Sequence, residues 1–535
     1  MTLPPGLSAK DFADAIAQFA EAVGKEWVFT SDEDVGLYRD AYSPFWSEPD
    51  EKVASAAVAP DSVEQVQAVM KIANAHGIPI YPISTGRNLG YGGSAPVYSG
   101  SVVLDLKRMN RILEVSERNA SCLVEPGVSY FDLYRYIQDR GLKLWIDCPD
   151  PGWGSLVGNA LDHGAGQTTL PFRDHFRAHC GMEVVLADGD LVRTGMGALP
   201  GAKTWQQFSY GYGPYVDGLF AQSNMGVVTK MGFWLMAQPD AYRGGVVLVP
   251  RHDDLTPMID VMKKLQNMGM FTATTALGSP LLERAPGDPK LAALMSKPGG
   301  ASIDELNAYA RDNNLPYWSS ILRLYGPEKV IEAQWEYAKE QFSVIEGVRF
   351  DDGVKLKFPL SADEIQRLDN KVWFGIPSLT IFSLGARSQF NPTPNSGHLW
   401  FSPVVPMSGE DIFEARRVFA EAFKQWDVHP LDFPVPQSYH PRTFILLYGF
   451  PITRDVETNR KNRETFKRMV KLAAEHGWGE YRTAPAFMDT VADAYSFNNH
   501  ALRRLHETLK DAVDPNGIIS AGRYGIWPKH LRPAG

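Results

Sequence analysis

Apolar residues near the start of the chain recur every three or four positions. Phe12, Phe19 and Val23 fall on one helical face, a spacing typical of an amphipathic helix packed against a core. Ser8 stands where an N-cap is preferred, and Gly24 stands where a helix stops. The pattern predicts a first helix between these two residues.

A second amphipathic stretch begins at Asp61. Glu64 follows three residues later, as in a capping box, and Gly77 ends the stretch. Residues 78–83 are apolar apart from two prolines. Because proline cannot donate to a sheet, we expect these residues to form an edge strand.

Strand-like and helix-like patterns divide the chain. Between residues 80 and 235, short apolar runs such as 122–127 and 182–187 alternate with glycine-rich turns, which is α+β patterning. Farther along, longer helical stretches such as 328–342 predominate. We therefore place a domain boundary near residue 240. Dense motifs close to the C-terminus indicate a tail that rejoins the first domain.

The composition is that of a folded, enzyme-sized protein. The chain has 535 residues, of which 44% are hydrophobic and 21% charged, so two domains are expected. The net charge of -9 disfavours a nucleic acid partner, since phosphate binding relies on clustered Lys and Arg. No uncharged apolar run has the length of a membrane span, and we find no secretory signal.

The cysteines indicate the cellular compartment of the protein rather than a disulfide framework or a metal site. Cys122, Cys148 and Cys180 are odd in number and widely spaced. This spacing fits neither a disulfide framework nor a zinc site. A reducing cytoplasm is the expected location.

Three glycine-rich segments are candidates for binding a phosphate-bearing ligand. Residues 84–93 hold four glycines after a predicted strand, and residues 154–159 and 223–229 also allow close backbone approach. The first segment alone is a weak signal, because it matches neither the Rossmann fingerprint nor the P-loop. Three such segments in one domain are harder to explain as surface turns.

Over nearly its whole length the chain resembles the vanillyl-alcohol oxidase and p-cresol methylhydroxylase family of flavoproteins, and within it the bacterial eugenol oxidase type. Besides the three glycine-rich segments, the matching stretches are 125–128, 152–159, 193–200, 479–483 and 513–519. The resemblance implies an α+β fold with an FAD-binding domain of the p-cresol methylhydroxylase kind, formed by residues 1–240 and 478–535. Residues 241–477 would be an inserted α+β cap domain.

The resemblance also implies the residues that hold FAD. They are Ser84, Thr85, Gly86, Arg87, Asn88, Leu89, Gly90, Pro149, Gly154, Ser155, Gly158, Asn159, Gly226, Val228, Arg482 and Arg523. His398 matches the histidine bonded covalently to the flavin 8α-methyl carbon. An isolated histidine would more often be structural. The p-cresol methylhydroxylase branch uses a tyrosine slightly upstream instead, and residues 390–395 contain none.

Four residues match the catalytic positions of the family. Tyr91, Tyr481 and Arg482 correspond to a trio that binds the substrate as a phenolate. Two hydroxyl donors and a guanidinium lower the pKa of a phenol, normally near 10, by stabilising the anion. Asp150 corresponds to the acid/base carboxylate near flavin N5. Asp147, in the same Asp-Cys-Pro-Asp segment, is an alternative on the residues alone, and the register favours Asp150.

The implied reaction is FAD-dependent oxidation of 4-substituted, lignin-type phenols. Hydride passes from the benzylic carbon to flavin N5, leaving a p-quinone methide, and O2 accepts the electrons to give H2O2. A hydroxylating dehydrogenase that passes electrons to a cytochrome is the alternative. A flavoprotein kept only for binding or electron relay is a third reading, and it predicts loss of at least one catalytic position, whereas all four are present.

The substrate pocket and the assembly state are also expectations. Gln167, Trp400 and Ser402 are expected to line the pocket. Gln167 stands where relatives have tyrosine, in a segment two residues longer, so a substituent larger or more polar than allyl or hydroxymethyl is a reasonable hypothesis. The short loop at 199–205 predicts a homodimer.

Overall fold

The computed structural model describes residues 2–88, 90–273, 275–297, 300–380, 397–428, 431–432 and 437–532. The α+β class is confirmed, with helices packed against several separate sheets.

The N-terminal sheet carries the first glycine-rich segment. Its strands lie in the order Val28–Phe29, Ala56–Val58, Val102–Asp105 and Ile80–Ile83, with the last three parallel. The strand before the glycines is thus at an edge, as predicted. On the side of this strand that faces away from the sheet, Ile80 forms an isolated parallel bridge with Ile519 near the C-terminus.

Two helices cover this sheet at the predicted places. The first spans Ala9–Val23 with Ser8 as N-cap, and the second spans Val63–His76 with Gly77 as a left-handed C-cap. The predicted start of the second helix was wrong by one residue. Ser62, not Asp61, is the N-cap, because its hydroxyl accepts the backbone N–H of Gln65.

The third glycine-rich segment runs into an antiparallel sheet, and the second begins the helix Leu156–Leu161, which packs on that sheet. Its strands are Ile112–Ser116, Ser121–Val124, Val227–Trp234, His179–Val185 and Leu191–Arg193, in that order. The helices Tyr130–Asp139 and Leu156–Leu161 contribute buried residues to its core. A separate two-stranded ribbon pairs Leu144–Trp145 with Met236–Ala237.

The middle of the chain forms a larger sheet. Seven of its eight strands run in the order Arg349–Asp351, Ala241–Val249, Trp318–Gly326, Thr275–Gly278, Gln437–His440, Thr443–Ile445 and Val404–Pro406, and Lys355–Lys357 also pairs with Ala241–Val249. A small sheet of Gly397–Phe401, Tyr448–Ile452 and Leu431–Asp432 adjoins it. The division of the chain at residues 240 and 477 remains a prediction.

Long helices pack on these sheets, and one of them, Glu328–Phe342, lies where the sequence predicts it. They are Leu255–Asn267, Ile303–Asp312, Glu328–Phe342, Gly409–Trp426 and Val456–Glu475, with shorter Asp32–Gly36, Pro280–Arg284, Pro289–Met295 and Ala362–Gln366. Met488–Ala494 and Phe497–Val513 close the chain.

The structure also describes the cysteines and the possible membrane spans, about which the sequence made predictions. Cys122, Cys148 and Cys180 are all free and buried. Within the described ranges, every helix is too short or too polar to cross a bilayer.

Candidate active site

The three glycine-rich segments meet at one elongated cavity. It contains about 1330 Å³ of empty space, part of it open to solvent. The C-terminal tail completes the wall. Of the residues expected to hold FAD, the wall includes Ser84, Thr85, Gly86, Arg87, Asn88, Pro149, Gly154, Ser155, Gly158, Asn159, Gly226, Val228, Arg482 and Arg523.

The glycines keep this cavity open. A Cβ added to Gly158 would overlap the hydroxyl of Ser84, and one added to Gly226 would overlap a methyl group of Val184. Gly86 has a φ of +66°, a conformation that residues with a side chain rarely adopt. The glycines therefore let these segments pack closely around the cavity, whose size and lining fit a dinucleotide such as FAD.

Charged groups anchor the far end of the cavity. Arg523 donates to the Asp162 carboxylate at 2.8 Å and to the Tyr81 hydroxyl at 2.6 Å. Asp162 also accepts from the side-chain amide of Asn88 at 2.6 Å. The first glycine-rich segment and the C-terminal tail are thus joined through one buried ion pair.

His398 lies beside the first glycine-rich segment, although neither it nor Gly90 belongs to the cavity wall. The histidine is 4% exposed in the strand Gly397–Phe401. Its ring centroid is 4.6 Å from that of Trp400 and 5.1 Å from that of Tyr42. A Cβ on Gly90 would come within 2.9 Å of the His398 ring. Leu89 lies outside the described residues, as do residues 390–395, where the alternative tyrosine was sought.

The predicted phenolate trio is assembled in space. The Arg482 guanidinium carbon lies 4.0 Å from the ring centroid of Tyr91 and 5.2 Å from that of Tyr481. The Tyr91 hydroxyl is 2.8 Å from the Ser402 hydroxyl, and the Tyr481 hydroxyl donates to the backbone carbonyl of His163. Tyr91 and Arg482 line this cavity, whereas Tyr481 lines a neighbouring one that also includes Arg482.

Burial sets the protonation of the trio. It raises the pKa of Tyr481 to about 12 and raises that of Tyr91, although the charge of Arg482 opposes both shifts. Burial would lower the pKa of Arg482, but the two tyrosines raise it above its ordinary value. The site therefore contains two neutral hydroxyls and one cation. Within the described residues, the buried Nε and Nη1 of Arg482 have no hydrogen-bond acceptor.

The two aspartates of the Asp-Cys-Pro-Asp segment have different surroundings. Asp150 lines the cavity, and one of its oxygens accepts from the Ser378 hydroxyl at 2.6 Å. Asp147 accepts the backbone N–H groups of Gln167 at 3.1 Å and Thr168 at 2.6 Å. It also lies 2.9 Å from the His175 ring nitrogen. Asp147 thus holds a loop together, while Asp150 faces the cavity.

The residues expected to line the substrate pocket are not in the cavity wall. Gln167 is half-buried and bonds Asp147 through its backbone, while Trp400 is buried beside His398. Ser402 is fully buried, and its hydroxyl contacts Tyr91.

Sequence analysis missed Glu480, which precedes the two C-terminal members of the trio. It is buried, and one carboxyl oxygen accepts the Ser402 backbone N–H at 2.8 Å. Burial raises its pKa well above the ordinary value. The only sequence signal was its position within Gly479–Arg482, directly before two members of the trio.

Comparisons with known proteins agree with this geometry. Residues 54–195 match the profile of an FAD binding domain. The chain is 33% identical over 531 residues to the flavoprotein subunit of 4-cresol dehydrogenase [hydroxylating] from Pseudomonas putida, covering 98% of this chain and 97% of that protein.

In structure the chain matches 4-ethylphenol oxidase from Gulosibacter chungangensis, with isoeugenol bound, at a TM-score of 0.82 and 35% identity, covering 99% and 100% of the two chains. It matches p-cresol methylhydroxylase with substrate bound at a TM-score of 0.82 and 31% identity, covering 98% and 99%.

Together the cavity and these matches define an FAD-dependent oxidoreductase. The chain belongs to the vanillyl-alcohol oxidase and p-cresol methylhydroxylase family of flavoproteins.

Proposed function

We propose that this enzyme oxidises 4-substituted phenols at the benzylic carbon. Bound FAD supplies the hydride acceptor at its N5 atom, and O2 takes the electrons to give H2O2. The observation that carries the proposal is the buried guanidinium of Arg482, which lies against Tyr91 and has two N–H groups without an acceptor among the described residues. The relatives' names, 4-cresol dehydrogenase and 4-ethylphenol oxidase, support the same substrate class.

The trio would bind the phenol as its anion. A buried guanidinium with two N–H groups that lack an acceptor among the described residues favours an anionic ligand, because the charge is only weakly solvated there. Tyr91 and Tyr481 remain neutral. The Tyr91 hydroxyl would turn from Ser402, and the Tyr481 hydroxyl from the His163 carbonyl, to donate their protons to a phenolate oxygen. The bound phenolate then releases hydride from the carbon attached at its para position. The substrate thereby loses two electrons and becomes a p-quinone methide.

Asp150 would act after hydride loss. Water adds to the benzylic carbon of the quinone methide, its oxygen forming the new C–O bond. The Asp150 carboxylate accepts the water proton, and the phenolate is regenerated. Ser378 donates to one Asp150 oxygen and so fixes the orientation of the carboxyl group for this step.

His398 would hold FAD covalently through the flavin 8α carbon. Support comes from its position against Gly90, at the end of the segment that lines the cavity. The link is tested by denaturing the protein in acid and asking whether the yellow chromophore stays with the chain. His398→Ala should release it, and retention by the variant would contradict the assignment.

The second candidate is a hydroxylating dehydrogenase that passes electrons to a cytochrome. The Pseudomonas putida relative is named as the flavoprotein subunit of a hydroxylating 4-cresol dehydrogenase, which is the specific observation in its favour. The homodimer expected from the short loop at 199–205 stays a proposal. A light-scattering mass near that of eight protomers would contradict it.

The deciding experiment is anaerobic mixing of the holoenzyme with 4-ethylphenol, followed by admission of air. We expect the flavin absorbance to bleach and then to return with release of H2O2. The matched control is 4-ethylanisole, which cannot form a phenolate and should leave the flavin oxidised. Slow return in air with rapid return upon adding a cytochrome c would favour the dehydrogenase. No bleaching with any 4-alkylphenol would overturn both candidates.

A further inference from the structure

A single loop, residues 163–168, contacts two working parts of the candidate active site. At one end, the backbone carbonyl of His163 accepts the hydroxyl of Tyr481, a member of the phenolate trio. At the other end, the backbone N–H of Thr168 donates to Asp147 at 2.6 Å, in the segment that carries the proposed acid/base carboxylate. The position of this loop therefore bears on both groups.

His175 is buried against this loop and joins Asp147 to the wall of the FAD cavity. The residue is 4% exposed, and its backbone N–H donates to the Gly164 carbonyl at 3.2 Å. Its Nε2 lies 2.9 Å from the Asp147 carboxylate. Its Nδ1 contacts the side-chain oxygen of Asn159, a residue that lines the cavity. One imidazole thus bridges the cofactor wall and the acid/base segment.

Two glycines of the loop make room for this bridge. A Cβ added to Gly164 would overlap the side-chain amide of Asn159. A Cβ added to Gly166 would overlap the Asp147 carboxylate and lie 2.7 Å from Nε2 of His175. Neither glycine has a positive φ. The close packing of the bridge, rather than the backbone conformation, therefore accounts for glycine at both positions.

Hydrogen bonds on both sides fix the orientation of the His175 ring. A carboxylate offers only acceptors, so Nε2 donates to Asp147. On the other side, the Tyr130 hydroxyl lies 3.1 Å from Nδ1 and 3.4 Å from the Asn159 side-chain oxygen. Turning the ring would break bonds at both ends of a buried network, where unpaired polar groups cost free energy. The two side chains that the ring joins are therefore fixed with it.

A second buried histidine–aspartate pair lacks this connection. His179 lies 3.0 Å from Asp217, and both side chains are 1% exposed. The ring nitrogens of His179 contact Asp217, the Tyr215 hydroxyl and the Phe176 carbonyl, and none of these residues lines the FAD cavity. The two pairs are thus alike in burial and bonding, and they differ in whether the pair is joined to the cavity.

We propose that His175 is a positioning residue that holds Asn159 and the segment carrying Asp150 in a fixed relation at the flavin. Because His175 engages the Asn159 oxygen, the amide N–H groups of that residue are left as donors to FAD. Through Asp147 the same ring restrains Asp150, since Pro149 between them limits the backbone. The Asp150 part of this inference rests on the proposed function, whereas the Asn159 part rests only on FAD binding.

The kinetic test compares His175→Phe, which keeps a ring but removes both bonds, with His179→Phe at the unconnected pair. We expect His175→Phe to lower kcat for 4-ethylphenol about 100-fold, the cost of a catalytic group misplaced by about 1 Å. KM should change less, because the phenolate trio is retained. His175→Gln, which keeps an N–H donor, should recover part of the loss. His179→Phe should lose stability, because Asp217 is left buried without its partner, but keep its kcat.

The flavin spectrum tests the Asn159 part without catalysis. In the oxidised holoenzyme we expect His175→Phe and Asn159→Leu to shift the flavin absorbance bands in the same direction. The double variant should shift them no further, since both substitutions remove the same oriented donor. His179→Phe should keep the wild-type spectrum.

The two measurements separate this inference from the proposed function. If no 4-alkylphenol reduces the wild-type flavin, the proposed function fails, while a spectral shift confined to His175→Phe and Asn159→Leu would still support the positioning role. Wild-type kcat and spectrum in folded, flavin-loaded His175→Phe would overturn the inference, as would equal losses of kcat in His175→Phe and His179→Phe. If His175→Phe does not fold, His175→Asn, whose side chain is too short to bridge both partners, takes its place with the same expectations.

Discussion

What a single residue does in this site depends on its surroundings in the fold more than on its residue type. Asp147 and Asp150 are chemically identical, but the first binds backbone N–H groups of a loop and the second lines the cavity. Local sequence treats the two as equivalent because it contains no information about which carboxylate reaches a cavity. Only the register of a whole motif favoured Asp150, and the structure shows why the two differ.

Arg482 offers a test of the phenolate site. In Arg482→Lys the charge is kept, but the planar guanidinium that lies over Tyr91 is lost. We expect kcat/KM for 4-ethylphenol to fall roughly 100-fold, as when a donor to a developing or bound oxyanion is removed. The rate should recover toward high pH, since a phenol with a less depressed pKa ionises only as the pH approaches about 10. Arg135→Lys, at a side chain 69% exposed, is the control, and an unchanged pH profile in Arg482→Lys would contradict the assignment.

Glu480 makes a prediction about stability. Its folded-state pKa is raised well above the ordinary value of 4.5 because of burial. The stability it contributes is therefore complete below pH 4.5 and is lost as the pH rises toward the raised pKa, by about 1.4 kcal/mol per pH unit. Glu480→Gln does not titrate and keeps an oxygen for the Ser402 N–H. The variant should gain stability relative to wild type between pH 5 and pH 8.

Chemical denaturation at several pH values measures this difference. Glu421→Gln, at a side chain 66% exposed, should show no comparable trend. A constant difference between Glu480→Gln and wild type across that range would mean that the carboxyl group is solvated or paired in the folded protein.

At the scale of elements, periodic hydrophobic patterns predicted the positions of helices reliably, whereas the residue at which a helix begins was predicted less accurately. The helix Glu328–Phe342 begins and ends where the apolar spacing indicated, because a 3.6-residue period is fixed by local geometry. The second helix starts after Ser62 rather than Asp61, since either side chain can cap a helix.

Substitution of Gly90 tests whether the first glycine-rich segment must lie close to His398 for FAD to be attached. Its φ is +77°, and a Cβ there would overlap the Trp400 ring and approach the His398 ring at 2.9 Å. Gly90→Ala should lower the fraction of protein that carries acid-stable flavin, because the histidine and the segment can no longer lie together. Gly269→Ala is a close control, since Gly269 has a similar φ of +73° with nothing within 4 Å of the added carbon. Equal flavin incorporation in the two variants would show that the contacts of the added carbon with Trp400 and His398 have no effect beyond backbone strain.

At the scale of the whole molecule, the two ends of the chain build one cavity. Ile80 and Ile519 form a bridge between the edge strand and the tail, and Ser520 donates its N–H to the Ile80 carbonyl at 2.7 Å. The motif at 513–519 had indicated that the tail rejoins the N-terminal part. Which edge it meets was not predictable, because a bridge across more than 400 residues leaves no periodic trace in the sequence.

Lys510 connects the tail to the third glycine-rich segment. It is 0% exposed, and its ammonium donates to Asp514 at 2.6 Å and to the carbonyls of Asn224 at 2.6 Å and Ile519 at 2.7 Å. Lys510→Met leaves the Asp514 carboxylate buried without its cation. We expect a loss of about 3–5 kcal/mol in the free energy of unfolding, as for other buried pairs broken on one side.

The same substitution should also lower FAD occupancy, because Asn224 and Ile519 both line the cavity. Flavin absorbance per protein and denaturant unfolding measure the two effects. Lys510→Met with Asp514→Asn should lose less stability than Lys510→Met alone, since no charge is then buried and the asparagine oxygen still accepts a tail N–H. If the double variant is no more stable than the single one, the bonds from Lys510 to the two carbonyls, rather than charge compensation, join the ends of the chain.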